Sequence, residues 1–104
     1  MSEIYKALSD PTRRQILELL RDGELTAGDL STHVPVSKPT LSGHLNVLKN
    51  AGLVDVTRDG TRMIYRLNVS VLEDALMSLM RTFRIGQPDQ APTPTAAILK
   101  GSKL

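Results

Sequence analysis

Apolar positions recur with a helical spacing over most of the chain and with a period of two in one segment. Ile4, Tyr5 and Leu8 mark a short first helix over about Ser2 to Leu8, and Ile16, Leu17, Leu19 and Leu20 give a second helix a broad apolar face. Between them Ser9-Asp10-Pro11 breaks and restarts the chain. Asp10 can cap the second helix, and Pro11 suits its first position, where no donor is needed. Asp22-Gly23 ends that helix. Thr26, with Asp29 three residues on, predicts an approximate capping box for a short third helix ending near His33. Val34-Pro35-Val36 reads as a compact turn. Ser37 then caps a longer fourth helix, which tolerates Pro39 in its first turn and runs to Ala51, with Gly52 as its stop.

The period then changes. Val54-Asp55-Val56-Thr57-Arg58 alternates apolar and polar, as a half-buried strand does. Asp59-Gly60 predicts a type I′ turn with positive φ at both residues, and Thr61 to Leu67 is the returning strand. Asn68 or Ser70 starts a last helix reaching about Ile85, closed by Gly86-Gln87-Pro88. The fold class is therefore mainly α with a β-hairpin wing: helix, helix, helix-turn-helix, hairpin, helix, or a winged helix-turn-helix. Residues 1–85 form one domain. Residues 86–104, with three prolines and two threonines, read as a flexible tail.

Composition adds exclusions. Aromatic residues are 3% of the 104, so Leu, Ile, Val, Met and Ala must build the core. No apolar run is long enough for a bilayer, and Met1 to Lys6 shows no signal-peptide pattern. The absence of cysteine removes disulfides, thiolate metal sites and thiol switches, and fits a cytoplasmic protein. No nucleotide loop, nucleophile–base set or paired acids are present, so an enzyme is not expected. Net charge is only +2, but its distribution is uneven. Residues 1–32 carry four basic and six acidic side chains, whereas residues 33–66 carry five basic and two acidic. A basic middle segment suits a phosphate-binding surface.

The fourth helix carries the candidate chemistry. Leu41, Leu45 and Leu48 fall on one stripe that must face the core. The remaining arc offers Lys38, Thr40, Ser42, Gly43, His44 and Asn46, mostly small or polar groups, beginning at the capping Ser37. A helix entering a major groove needs little bulk, several donors and acceptors, and a positive N-terminal dipole facing phosphates. Ser37 has a second reading as a cap alone, and His44, close to the core stripe, as a structural hydrogen-bonding residue. Arg58 and Arg62 flank the hairpin tip, where arginine can enter a minor groove. In the last helix Leu72, Ala75, Leu76, Leu79 and Phe83 make an apolar stripe, and the first helix adds Ile4, Tyr5 and Leu8. That surface is more than a small winged helix can cover alone, so a two-fold dimer is expected, with two recognition helices on successive major grooves.

The segments Ala7 to Leu17, Gly23 to Leu30, Ser37 to Leu45, Leu48 to Val54 and Gly60 to Leu67 together resemble the ArsR/SmtB family of bacterial repressors. The resemblance covers about residues 3–83 and lies nearest the cysteine-free, SdpR-like autorepressor subgroup. It implies a homodimer built from the first and last helices, binding a palindromic double-stranded DNA operator. In thiol-sensing members the segment Glu24 to Leu30 carries cysteines, and in others the last helices hold metal with histidines and carboxylates. Here that segment has Thr26 and Gly28, and the last helix has Glu73 and Asp74 without histidine. No metal and no cofactor is expected. Pro35 in the turn and Gly43 in the recognition helix depart from the family pattern. The rival expectations are a repressor sensing a small molecule at the dimer interface and a winged-helix protein-interaction module.

Overall fold

Every helix after the first begins where a side chain accepts from an otherwise orphan amide. In the computed structural model, which describes residues 2–86, α1 spans Ser2–Leu8 and α2 Pro11–Leu20. The Asp10 carboxylate accepts the Arg13 amide at 3.0 Å, and Pro11 opens α2. β1 is Leu25–Thr26 and α3 Ala27–His33. Thr26 Oγ1 accepts the Asp29 amide at 3.0 Å while Asp29 accepts the Thr26 amide at 3.1 Å, a complete capping box. α4 spans Lys38–Asn50 with Ser37 as its cap. The hairpin is β2 (Val54–Asp59) and β3 (Arg62–Leu67), and α5, capped by Asn68, spans Val69–Thr82.

α4 stops through a Schellman motif. The Leu53 amide donates to Leu48 O at 3.0 Å, and the Gly52 amide to Lys49 O at 2.9 Å. Gly52 sits at φ +80°, a conformation that disfavours any side chain there. Leu48 and Leu53, the apolar pair of this motif, are both fully buried. They join Ile16, Leu17, Leu20, Leu30, Val34, Leu41, Leu45 and Val54 in one core, against which Ile4, Leu8, Val71 and Leu72 pack. Between α3 and α4 the Val36 amide bonds Val34 O at 2.8 Å, so Pro35 is the centre of a three-residue turn.

Three local features depart from expectation. First, Leu25–Thr26 forms a third strand, paired antiparallel with β3 (Leu25 with Tyr65, Thr26 with Ile64), so the sheet order is β1-β3-β2. Second, Asp59 is not a turn centre. It pairs with Arg62, leaving Gly60-Thr61 as the loop, and only Gly60 has positive φ (65°). That is the type II′ pattern, with glycine at the first central position. Third, α5 ends at Thr82, three residues short of Ile85. The Ile85 amide bonds Met80 O at 2.8 Å, with Arg84 at φ +56°. The tail beyond Gly86 lies outside the described residues. None of the described helices is long and apolar enough to cross a membrane.

Candidate nucleic-acid interface

α4 is 13 residues, about 20 Å of helix, and its two faces are chemically separate. Leu41, Leu45 and Leu48 are 4%, 3% and 0% exposed, locked under α1, α2 and the sheet. Lys38, Thr40, Ser42, Gly43 and Asn46 are exposed on the other side. Ser37 is also exposed. Its Oγ accepts the Thr40 amide at 3.3 Å and donates to Thr40 Oγ1 at 2.9 Å, so the Ser37 hydroxyl is engaged in capping while the Thr40 hydroxyl keeps its own proton to donate. Lys38, Leu41, Ser42 and Leu45 border a groove of about 350 Å³ whose other walls are Ala27, Gly28 and Ser31 of α3 and Met63 and Tyr65 of β3.

Gly43 has positional meaning. A Cβ built there meets nothing within 4 Å, so the packing of this chain does not demand glycine. Glycine inside a helix costs about 0.5–1 kcal/mol relative to alanine. Gly43→Ala is therefore expected to raise stability by roughly that amount, read as a higher urea midpoint at unchanged slope.

His44 is set apart from its neighbours. Its side chain is 18% exposed, with Nδ1 3.2 Å from Arg13 Nη1 and 3.9 Å from Asp10 Oδ2. The ring thus belongs to a network joining α4 to the start of α2. Sequence reasoning missed Arg13. Its only visible mark was its place just inside the Asp10-Pro11 helix start.

At the hairpin, strand alternation puts Arg58 and its partner Met63 on the face turned toward α4, and Asp59 and Arg62 on the other. Arg58 Nε donates to Gly60 O at 3.3 Å, and Arg62 Nη2 lies 3.7 Å from Asp59 Oδ2. Both arginines are exposed, and the Arg62 pair is too solvated to hold its side chain firmly. Arg66 is tied down instead, donating to Glu24 at 3.2 Å and Thr57 at 2.6 Å.

The candidate interface residues divide. Ile4, Tyr5, Leu8, Leu72 and Leu79 are half-buried, and Ile4, Leu8 and Leu72 rest on the core. Ala75 is fully covered within its own chain and presents no surface. Leu76 and Phe83 are 48% and 67% exposed, and Val69, Met77, Met80 and Ile85 are exposed beside them. On a helical wheel Val69, Leu76, Met80 and Phe83 fall within about 60° of one another, an uninterrupted apolar stripe.

Residues 10–56 match the model of a family described as bacterial regulatory protein, arsR family. The chain is 44% identical over 89 residues to the transcriptional repressor SdpR of Bacillus subtilis, spanning 86% of this chain and 99% of that one. It is 44% identical over 79 residues to an arsenical resistance operon repressor of Staphylococcus aureus, covering 76% of each. Among solved structures, an ArsR-like transcriptional regulator from Rhodococcus sp. RHA1 superposes with a TM-score of 0.77 at 30% identity, over 98% of this chain and 89% of that one.

Proposed function

This chain belongs to the ArsR family of bacterial regulatory proteins, and we propose that it represses transcription as a homodimer on a palindromic operator. α4 lies in the major groove and the β2–β3 tip reaches the flanking minor groove. The observation that carries this reading is the division of α4 into a sealed leucine face and an exposed face of small polar groups. Lys38 at its N-terminus meets a phosphate or guanine edge, Thr40, Ser42 and Asn46 offer hydrogen bonds, and Gly43 lets the backbone approach closely. Arg58 and Arg62 serve the minor groove. The apolar stripe of α5, with α1, forms the two-fold contact.

It is a regulator rather than an enzyme, works in the cytoplasm, and acts without a metal or thiol effector. The chain has no cysteine. His33 Nδ1 is held within its own helix, 3.0 Å from both Asp29 O and Thr32 Oγ1, and His44 is engaged with Arg13. A hollow of about 270 Å³ lined by Leu8, Arg14, Leu17, Glu18, Arg21, Leu67 and Leu72, beside α1 and α5, favours a small-molecule effector as the second reading. The exposed Lys38, Arg58 and Arg62 weigh against a protein-interaction module.

Electrophoretic mobility shift on a duplex from the protein's own promoter tests the reading. Lys38→Ala and Arg62→Ala are each expected to weaken binding and to reduce the salt slope, d log K/d log[salt], by about 2 per dimer, one phosphate contact in each half-site. Unchanged affinity in both variants would remove these residues from the interface.

A further inference from the structure

Arg13 has no place in the proposed DNA surface, yet it joins three elements. Its Nε donates to Ala7 O at 2.9 Å and its Nη2 to Lys6 O at 3.1 Å, satisfying carbonyls at the C-terminal end of α1. Its Nη1 lies 3.2 Å from His44 Nδ1 on α4. Arg14 adds a bond to Leu8 O at 2.8 Å, so two guanidinium groups from the first turn of α2 bond the last carbonyls of α1, where Lys6 O also accepts from the Ser9 hydroxyl at 2.7 Å.

The chemistry of the Arg13–His44 contact is one-sided. Guanidinium carries donors and no acceptor, so the bond exists only while Nδ1 keeps its lone pair, with the ring neutral and its hydrogen on Nε2. A protonated ring would set two cations against each other at that distance. The Asp10 carboxylate, with Oδ2 3.9 Å from the same nitrogen, would then be the attractive partner. The Arg13 backbone amide holds that carboxyl below its ordinary range, and the Arg13 charge acts in the same direction, as does that of a protonated His44, so Asp10 is present as the carboxylate. Arg13 of α2 and its cap Asp10 are the charged groups that face the ring among the described residues, and α1 faces the network through carbonyls that Arg13 occupies.

We infer that Arg13 is a positioning residue for operator recognition: through neutral His44 it fixes α4 against the end of α1, and protonation of His44 exchanges that bracket for a contact with Asp10. The inference rests on the reading that α4 enters the major groove. It sets the angle of the recognition helix relative to α1, one of the two helices assigned to the dimer contact. Operator discrimination is then weaker in the protein whose His44 ring carries both protons than in the one whose ring is neutral.

The readout that separates positioning from added charge is the ratio of affinities for operator and scrambled duplex. A histidine that only gains charge near DNA tightens both equally and leaves the ratio alone. The test is fluorescence anisotropy with the full chain at pH 8.0 and 5.5 and constant salt, for the wild type and His44→Asn. Asparagine Oδ1 stands where Nδ1 was, accepts from Arg13 and does not titrate, and His33 remains in both proteins. The wild-type ratio is expected to fall about fivefold at pH 5.5, as for loss of one hydrogen bond, while His44→Asn holds its pH 8.0 value. Nitrogen NMR of the His44 ring at pH 8.0 is expected to show the Nε2–H tautomer. A wild-type ratio independent of pH, an equal fall in His44→Asn, or the Nδ1–H tautomer overturns the bracket. Absence of any operator preference at pH 8.0 overturns the function it rests on.

Discussion

Replacing Leu76 and Phe83 together with aspartate is expected to give a folded monomer that binds operator about 10²–10⁴-fold more weakly. The reason lies in where these side chains sit. In the single chain they are 48% and 67% exposed, so carboxylates there are solvated and cost the fold little. In a two-fold contact each would be buried twice without a partner, at a cost of several kcal/mol per ion. The DNA effect follows from linkage of the two half-sites. A dimer that has docked one recognition helix presents the second at an effective concentration near millimolar, and a monomer loses that gain. Sedimentation velocity reads the assembly and anisotropy reads the affinity. A variant that still sediments as a dimer would move the interface away from α5.

Leu48→Ala is expected to lower the unfolding free energy by about 3 kcal/mol, within the 2–5 kcal/mol range of such core truncations. Leu48 is fully buried in the leucine stripe of α4, and its carbonyl and side chain both anchor the α4 terminus through Leu53. Removing its isopropyl group opens a cavity between α4 and the hairpin that begins at Val54. For a small domain of total stability about 5–15 kcal/mol this is a large fraction, seen as a melting temperature lower by roughly 12–24 °C. Lys49→Ala, one residue on and exposed, is expected to stay within about 0.5 kcal/mol. Urea denaturation of the pair checks both, and equal midpoints would contradict the assignment of the α4 faces.

Most of the fold was legible because its signals are local. Asp10, Thr26, Ser37 and Asn68 cap the helices that follow them, since a short acceptor before an apolar-periodic run has few other uses. The leucine stripe of α4 required only the helical period. The strand Leu25–Thr26 escaped because two residues carry no period, and Thr26 already had a visible role as a cap. The turn type was misread because Asp-Gly is equally compatible with a strand end followed by a glycine-first loop. Only the cross-strand register, Asp59 against Arg62, decides between them.

The candidate site was legible in part. The polar residues of α4 lie on its exposed face as their spacing required, but His44 turns toward Arg13, a partner 31 positions away in sequence. No local pattern announces such a contact. Ala75 shares a helical stripe with Leu76 and Phe83 but faces inward, because a stripe about 100° wide on α5 straddles the line between the core and the open surface.

Selection of binding sites from a random duplex library by the full-length protein most directly tests whether a paired, polar α4 reads DNA. Two inverted half-sites centred about 10 base pairs apart are expected, one helical turn of DNA. Alanine at Asn46 or Ser42 should relax preference at individual positions within each half-site. An unenriched pool, or a single unrepeated half-site bound by one protomer, would contradict it.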